Sequence, residues 1–213
     1  MYLTSQDDEF REKRDDILRV YYEAPAEEHI ICVDEKTGIQ ALERKYPDIA
    51  MQPGQPVRRE FEYVRHGTLT WMGAFDVRRG RPFGFASPGH DTDTFIDLLD
   101  TVATFYPSGR GHLIMDNLSA HDTPDVQEWF DEHPNWTQHF TPKHASWLNQ
   151  IECWFSILGR RVLARGSFSS LDDLTTKIKA YVAWHISTGQ PFEWSYRPKS
   201  WDRTSGRTSA ARH

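Results

Sequence analysis

Three acidic residues are placed where carboxylates do chemistry. Asp34 follows the apolar run His29-Ile30-Ile31-Cys32-Val33, Asp116 follows His112-Leu113-Ile114-Met115, and Glu152 stands beside Ile151, which opens a helical stripe. On that helix Asn149, Glu152 and Ser156 are three and four apart, which makes a polar face next to the buried one. If the two apolar runs are neighbouring strands, their ends bring the aspartates together at the crevice where α/β sheets carry their sites. Three converging carboxylates repel one another and are stable together only with cations between them. Mg²⁺ suits such a donor set, since it takes oxygen ligands and is held by few carboxylates plus substrate phosphates. Two such ions roughly 3.5 to 4 Å apart activate an attacking oxygen and stabilise a leaving one, so the set points to phosphoryl transfer. Taken singly, each acid has a plainer role. Asp34 would open a turn before Gly38, Asp116 would make an Asx-turn beside Asn117, and Glu152 would sit on an exposed helix face.

The elements that must position these acids are legible in outline. Phe10, Ile17, Leu18 and Tyr21 predict an N-terminal helix behind a capping signal at Ser5 to Asp8. Residues 29–33 predict a buried strand ended by a turn over Asp34 to Gly38, and residues 47–57, with three prolines, predict a surface loop. Strands are expected over 61–65, 68–76 and 82–86, with Arg65-His66-Gly67 and Arg78-Arg79-Gly80 as turns. A helix over 92–105 is followed by a strand over 112–115, a short helix opened by Thr123-Pro124, and a strand over 136–140. Ile151, Phe155, Leu158 and Val162 mark one helix beginning near Ser146. Leu171, Leu174, Ile178, Tyr181 and His185 mark another, capped by Ser169 or Ser170. The pattern makes a mixed α/β domain, a central sheet covered by helices. It divides into an N-terminal helix (1–24), the mixed domain itself (25–194) and a basic tail (195–213).

Composition narrows the classes. The 213 residues include 38% apolar side chains, 8 Trp and 12 Phe, enough for a real core. No run of about 18 apolar residues is present and the start is acidic, which predicts a cytoplasmic protein without a membrane span. Two cysteines, Cys32 and Cys153, build no disulfide framework and are read as reduced. The net charge of -6 argues against a nucleic-acid partner, but it is unevenly spread. Residues 1–50 and 51–142 each carry 7 basic and 13 acidic side chains, whereas residues 143–213 carry 11 and 5. The cationic end is the one that contains Glu152.

Several motifs appear in order: Ile31-Cys32-Val33-Asp34-Glu35-Lys36, Tyr63-Val64-Arg65-His66-Gly67-Thr68, Leu113-Ile114-Met115-Asp116-Asn117 with His121, and Phe140-Thr141-Pro142 through Ala145 to Glu152. With 81 residues between the aspartates and 35 between Asp116 and Glu152, the chain resembles the mariner-like DDE transposases of bacterial insertion sequences. The resemblance runs from about Asp8 to Trp194. It implies a ribonuclease H-like fold in which Asp34, Asp116 and Glu152 are the catalytic, metal-binding residues for two Mg²⁺ ions, with Mn²⁺ as a substitute. It implies that water cleaves a phosphodiester at the element's end and that the freed 3′ hydroxyl then attacks target DNA, typically at a TA dinucleotide. Lys143, His144, Trp147, Asn149, Arg160, Arg161 and Arg165 are the DNA contacts expected around the acids, with Asn117 and His121 supporting the aspartates. The partners implied are double-stranded DNA, a second copy of the chain on that DNA, and a separate chain supplying the helix-turn-helix region. That region is expected before Asp34 and has no basic counterpart there. The expected location is the bacterial cytoplasm, at the nucleoid.

Two other functions compete. A zinc enzyme built on His133, His139 and His144 fails on spacing, which matches no compact zinc motif. A catalytically silent remnant that binds DNA or regulates a partner transposase remains the alternative from a different class.

Overall fold

The structure is a computed structural model and describes residues 9–46, 62–116 and 123–198. Along the chain run α1 (Phe10–Glu23), β1 (His29–Arg44), β2 (Tyr63–Asp76), β3 (Arg81–Ser87), α2 (Thr92–Phe105) and β4 (Gly111–Met115). They are followed by α3 (Pro124–Glu132), β5 (Trp136–Phe140), α4 (Gln150–Leu158) and α5 (Leu171–Thr188). The capping signal at Ser5 to Asp8, the loop 47–57 and residues 199–213 of the basic tail lie outside the described residues.

The helix starts follow from their caps. Asp91 accepts from the Thr94 amide, Thr123 precedes Pro124 at the first helical position of α3, and Ser170 accepts from the Asp173 amide. The strands form one five-stranded sheet in the order β3-β2-β1-β4-β5. β1 to β3 are antiparallel neighbours, while β4 and β5 run parallel to β1. The expected mixed sheet flanked by helices is the architecture observed.

Alternation along β1 divides the core. Ile30 and Cys32 pack with α1, α4 and α5, whereas Ile31 and Val33 pack with α2 and α3 on the other face. On the first face α1 contributes Ile17, Leu18 and Val20, and it is further held by a chain of polar contacts. Asp16 meets His139 at 2.6 Å, His139 meets His112 at 2.9 Å, and His112 meets Glu28 at 2.9 Å, which ties the helix to β4 and β5.

Two expected turns are not turns. β1 passes through Asp34 to Gly38 without a break, and β2 passes through Arg65 to Gly67, so one long antiparallel pair replaces three shorter strands. Gly38 has φ +66 and Gly67 φ +110, the left-handed region that glycine tolerates. Each lies at a register shift, between Lys36 and Ile39 on β1 and opposite the step from Gln40 to Leu42. They are β-bulges, and since a bulge and a turn use the same glycine conformation, sequence alone does not separate them. One extra residue falls on each strand, so the register is restored beyond the second.

The helix expected from Ser146 is also divided. A single 3-10 turn covers Ser146–Leu148, Asn149 is extended at φ -89 and ψ 104, and α4 starts at Gln150. After Leu158 the chain continues as a π-helical turn over Gly159–Leu163.

The approach of α4 to the sheet depends on Gly73 of β2. A Cβ there would lie 2.9 Å from both Ile151 Cδ1 and Phe155 Cζ, inside van der Waals contact. Gly73→Ala should therefore cost about 1 to 3 kcal/mol by overpacking. Gly159→Ala, at a helical position with nothing within 4 Å, should be neutral or stabilising by up to ~1 kcal/mol. Urea denaturation of both variants checks the pair, and equal midpoints would contradict the packing role of Gly73.

Candidate active site

The sheet brings the first two acids together. β1 pairs in parallel with β4 up to Cys32 opposite Ile114, and two further residues along each chain lie Asp34 and Asp116. Asp34 does not end its strand, as expected from sequence. It ends the stretch over which β1 has a parallel partner, because β4 stops at Met115 while β1 continues. Asp34 shares a sheet face with Ile30 and Cys32, the face covered by α4, and Glu152 lies in the first turn of that helix.

Asn149 joins helix to strand. Its side-chain amide donates to the Val33 carbonyl at 3.0 Å and to Asp34 Oδ2 at 3.2 Å, while the Glu35 backbone N–H donates to Asp34 Oδ1 at 2.9 Å. The extended backbone at Asn149 is what turns this side chain into the sheet. Expected as a DNA contact, Asn149 is instead fully buried, and its contacts make it the residue that orients Asp34. Its Oδ1 is buried and has no hydrogen-bond partner among the described residues.

Tyr21 of α1 supports the preceding residue. Its hydroxyl donates to the Leu148 carbonyl at 2.6 Å and lies 3.2 Å from Cys32 Sγ, two residues before Asp34. Burial holds the Tyr21 hydroxyl well above its ordinary range, so it stays a donor. Burial likewise pushes the Cys32 thiol up to about 12, and both cysteines are free, as read from sequence. The spacing of Tyr21 identifies it as core but carries no sign of what its hydroxyl does. Gly73 had a legible signal, because a glycine inside an apolar strand marks a close approach.

The electrostatics follow from the acids lying near one another. Asp34 is raised well above the usual carboxylate range, first by burial and then by Asp116, Glu35 and Glu152. Glu152 is raised by burial and by Asp116 and Glu35, with Lys36 opposing. Lys36 follows Asp34 by two residues on the same face of β1, and its Nζ stands 5.9 Å from the Phe155 ring centroid. Glu35 and Lys36 are charged neighbours of Asp34 and Glu152 that a reading of three acids alone leaves out.

The remaining expected residues are spread around this centre. Lys143 and His144 are exposed, and His144 takes φ +61, a left-handed conformation uncommon outside glycine. Trp147 is 41% exposed, parallel to Trp194 at 6.3 Å and edge-on to Tyr196 at 4.7 Å. Arg160 and Arg161 are exposed on the π-helical turn and Arg165 just beyond it. Asn117 and His121 lie outside the described residues. His133 stacks on Trp129 and His139 is engaged by Asp16 and His112, so the three histidines do not meet.

A family model described as DDE superfamily endonuclease matches residues 29–175, more than half of the chain and the whole span that carries the three acids. The chain belongs to the DDE superfamily endonucleases. A protein of Shigella sonnei described as insertion element IS630 uncharacterized 39 kDa protein is 24% identical over 174 residues, which cover 81% of this chain and 46% of the relative. The chain thus spans about half the length of that relative. Among solved structures, the mariner Mos1 paired end complex with Mg matches with a TM-score of 0.64 at 19% identity, over 91% of this chain and 59% of that one. The catalytic domain of Mos1 mariner transposase matches with a TM-score of 0.58 at 16% identity, over 86% and 84%. These likenesses show the shared ribonuclease H-like fold of this endonuclease family member.

The donor set fits a divalent cation. It offers the carboxyl oxygens of Asp34 and Glu152, whose mutual repulsion a cation would relieve, with the unpartnered Asn149 Oδ1 beside Asp34. Among the described residues no three His, Cys, Asp or Glu side chains are placed to share one ion, so the acids are neighbours rather than an assembled cage.

The raised Asp34 makes a stability prediction for the endonuclease without divalent ions. A carboxyl raised in the folded state lends its stability fully below the unfolded value, about pH 4, and loses it as pH climbs through the folded value. Asp116→Asn removes one of the charges that raise Asp34, so less is lost. The variant should melt higher than the parent near neutral pH in EDTA, by ~2 to 4 °C for each kcal/mol relieved, with the gap closing toward pH 4. Thermal melts across that range test it, and a variant less stable at neutral pH would refute the mutual repulsion.

Proposed function

We propose that this chain is a transposase catalytic domain that cleaves DNA at an element's ends and joins the freed 3′ ends to target DNA. The observation that carries the reading is geometric: the parallel pairing of β1 with β4 sets Asp34 and Asp116 side by side, and Asn149 ties Asp34 to the start of α4, whose first turn carries Glu152. Membership of the DDE endonuclease family supports it, as does the Mos1 strand transfer complex among the structures that share its fold.

In this reading Asp34, Asp116 and Glu152 hold two Mg²⁺ ions, with Mn²⁺ able to replace them. When bound, the ions lower the pKa of the attacking oxygen and stabilise the leaving one. The protein's own part is to fix the carboxylates. Asn149 keeps one oxygen of Asp34 directed toward α4, the Glu35 amide holds the other, and Tyr21 braces the turn that carries Asn149. The first step breaks a phosphodiester as water adds to phosphorus, leaving a 5′ phosphate and a 3′ hydroxyl. The second adds that hydroxyl to a target phosphodiester, so one bond forms for each broken. Lys143, Arg160, Arg161 and Arg165 are suited to phosphate contacts, and His144 and Trp147 to sugar or base contacts. Double-stranded DNA, a homodimer on that DNA and insertion at TA belong to the same proposal, as does a helix-turn-helix region supplied by a separate chain. So does a cytoplasmic, nucleoid-associated location; among the described residues no helix is long and apolar enough to cross a membrane.

Incubation with a labelled duplex carrying an element end should give nicks with 3′ hydroxyls in Mg²⁺ or Mn²⁺, and none in EDTA. Asp34→Asn, Asp116→Asn and Glu152→Gln should each reduce the rate by at least about a hundredfold while DNA affinity stays within a few fold. Saturating metal should raise the parent's stability, by about 2.7 kcal/mol at a hundred times its dissociation constant, and should do so far less in the Asp116→Asn variant. Unchanged DNA binding with no metal-dependent cleavage and no metal shift in the parent would favour the silent remnant.

A further inference from the structure

A cavity of about 480 Å³ opens away from the acids, between the β2–β3 hairpin, the start of β1 and the end of α2. We propose that it binds a nucleotide unit, a planar base with its phosphate. Its walls are aromatic. Phe83 lies 5.0 Å from Phe105 and 6.1 Å from Tyr106, and Tyr106 lies 4.6 Å from the His29 ring. Phe105 is 63% exposed at the mouth, a large apolar surface left in water. Rings arranged around an open slot stack on any base, since every base has a π face.

The same walls carry cations. Arg79 and Arg81 both line the cavity, from a hairpin whose third arginine, Arg78, is taken up by the carbonyls of Ala24 and Pro25. Arg81 has no ion-pair partner among the described residues. Arg79 gives one N–H to Asp76, which leaves further donors of its fork for an anion. Two guanidinium groups lining one cavity suit a phosphate, which they bind with paired N–H donors.

The site is built in advance rather than left to loose side chains. Asp76 is fully buried and accepts three hydrogen bonds there: from the Arg79 backbone N–H at 2.9 Å, from Arg79 Nη1 at 2.9 Å and from the Tyr106 hydroxyl at 2.7 Å. One carboxylate thus fixes a cationic wall and an aromatic wall relative to each other, the kind of support that binding geometry needs. His29 is fixed as well, its Nε2 donating to the Ser108 carbonyl at 3.1 Å. The volume falls in the range of small-molecule sites, roughly 300 to 1,000 Å³, and exceeds what an inorganic anion fills. An apolar ligand would leave Arg81 unused, and an anion without a ring would leave Phe105 in water.

This site does not rest on the reading of the acids. His29 is five residues upstream of Asp34 on the same strand, roughly 17 Å away at the strand's rise, and points to the other face. The nucleotide is either free or one unit of a DNA strand, and the two sources are separable. Titration of the full chain with dAMP, followed by calorimetry, should show saturable binding, and inorganic phosphate should bind at least about tenfold more weakly. Arg81→Gln and Phe105→Ser, both at exposed positions, should each weaken dAMP at least about tenfold with no loss of thermal stability, while Asp116→Asn should bind it like the parent. Competition by a single-stranded oligonucleotide assigns the site to a strand, and its absence assigns it to free nucleotide. No saturable dAMP binding, equal binding in the parent and both cavity variants, or phosphate binding as tight as dAMP would overturn the proposal.

Discussion

A carboxyl group buried in the middle of a sheet sets the terms for everything around it. Asp34 sits on the central strand, covered by a helix, with Asp116, Glu35 and Glu152 nearby, and its ionised form is disfavoured by both circumstances. The neighbouring structure answers in two ways. Hydrogen bonds from Asn149 and the Glu35 amide fix both oxygens, and Lys36 supplies the nearest cationic counterweight to Glu152. The Asn149 contact also reaches the Val33 carbonyl, so a single amide pins the start of α4 to β1. Gly73, the residue opposite Asp34 on β2, leaves the room that this contact needs.

That arrangement places the site at the junction of two kinds of pairing. On one side of β1 the sheet is antiparallel and long; on the other it is parallel and ends at Met115. Where β4 stops, β1 has lost its parallel neighbour, and Asp34 and Asp116 occupy the opening. The two glycine bulges come later on the long pair, at Gly38 and Gly67, so they bend the far end of β1 without disturbing the register at Asp34. Beyond them the chain is anchored again, with the Phe168 amide donating to the Leu42 carbonyl and the Arg44 amide to Ser167 Oγ. The segment that follows α4 is thereby tied to the same strand that carries Asp34.

Much of this was legible in the residues. The period of three and four in α2 and α5, the apolar run of β4, and the caps at Thr123 and Ser170 act locally, and local signals survive folding. The three acids were legible for a different reason: each stands at the edge of a strong apolar pattern, where its neighbours are already committed to the core. What sequence did not reveal is long-range. Gly38 and Gly67 carry turn chemistry, and only a partner strand decides that they are bulges. Asn149 is a polar residue on a motif rich in groups expected to face DNA, and only the position of β1, 116 residues away, turns it inward. Tyr21 acts through Leu148 at a separation of 127 residues, and the Asp76 anchor of the cavity through Tyr106 at 30.

The charge map gives α4 and its continuation a consequence for any polyanion. Glu152 lies in the first turn of α4, close to the other acids, while Arg160 and Arg161 lie about two turns further on, roughly 12 Å along the axis. The π-helical turn widens the helix there, none of its residues is buried, and the buried stripe ends at Leu158. A phosphate backbone is therefore attracted to one end of the helix and repelled from the other. In the proposed reading, a strand held through the arginines would leave the acids facing it at a distance that repulsion maintains until cations neutralise them. Affinity and chemistry would then depend on different charges, so the acids could be changed without loosening the DNA.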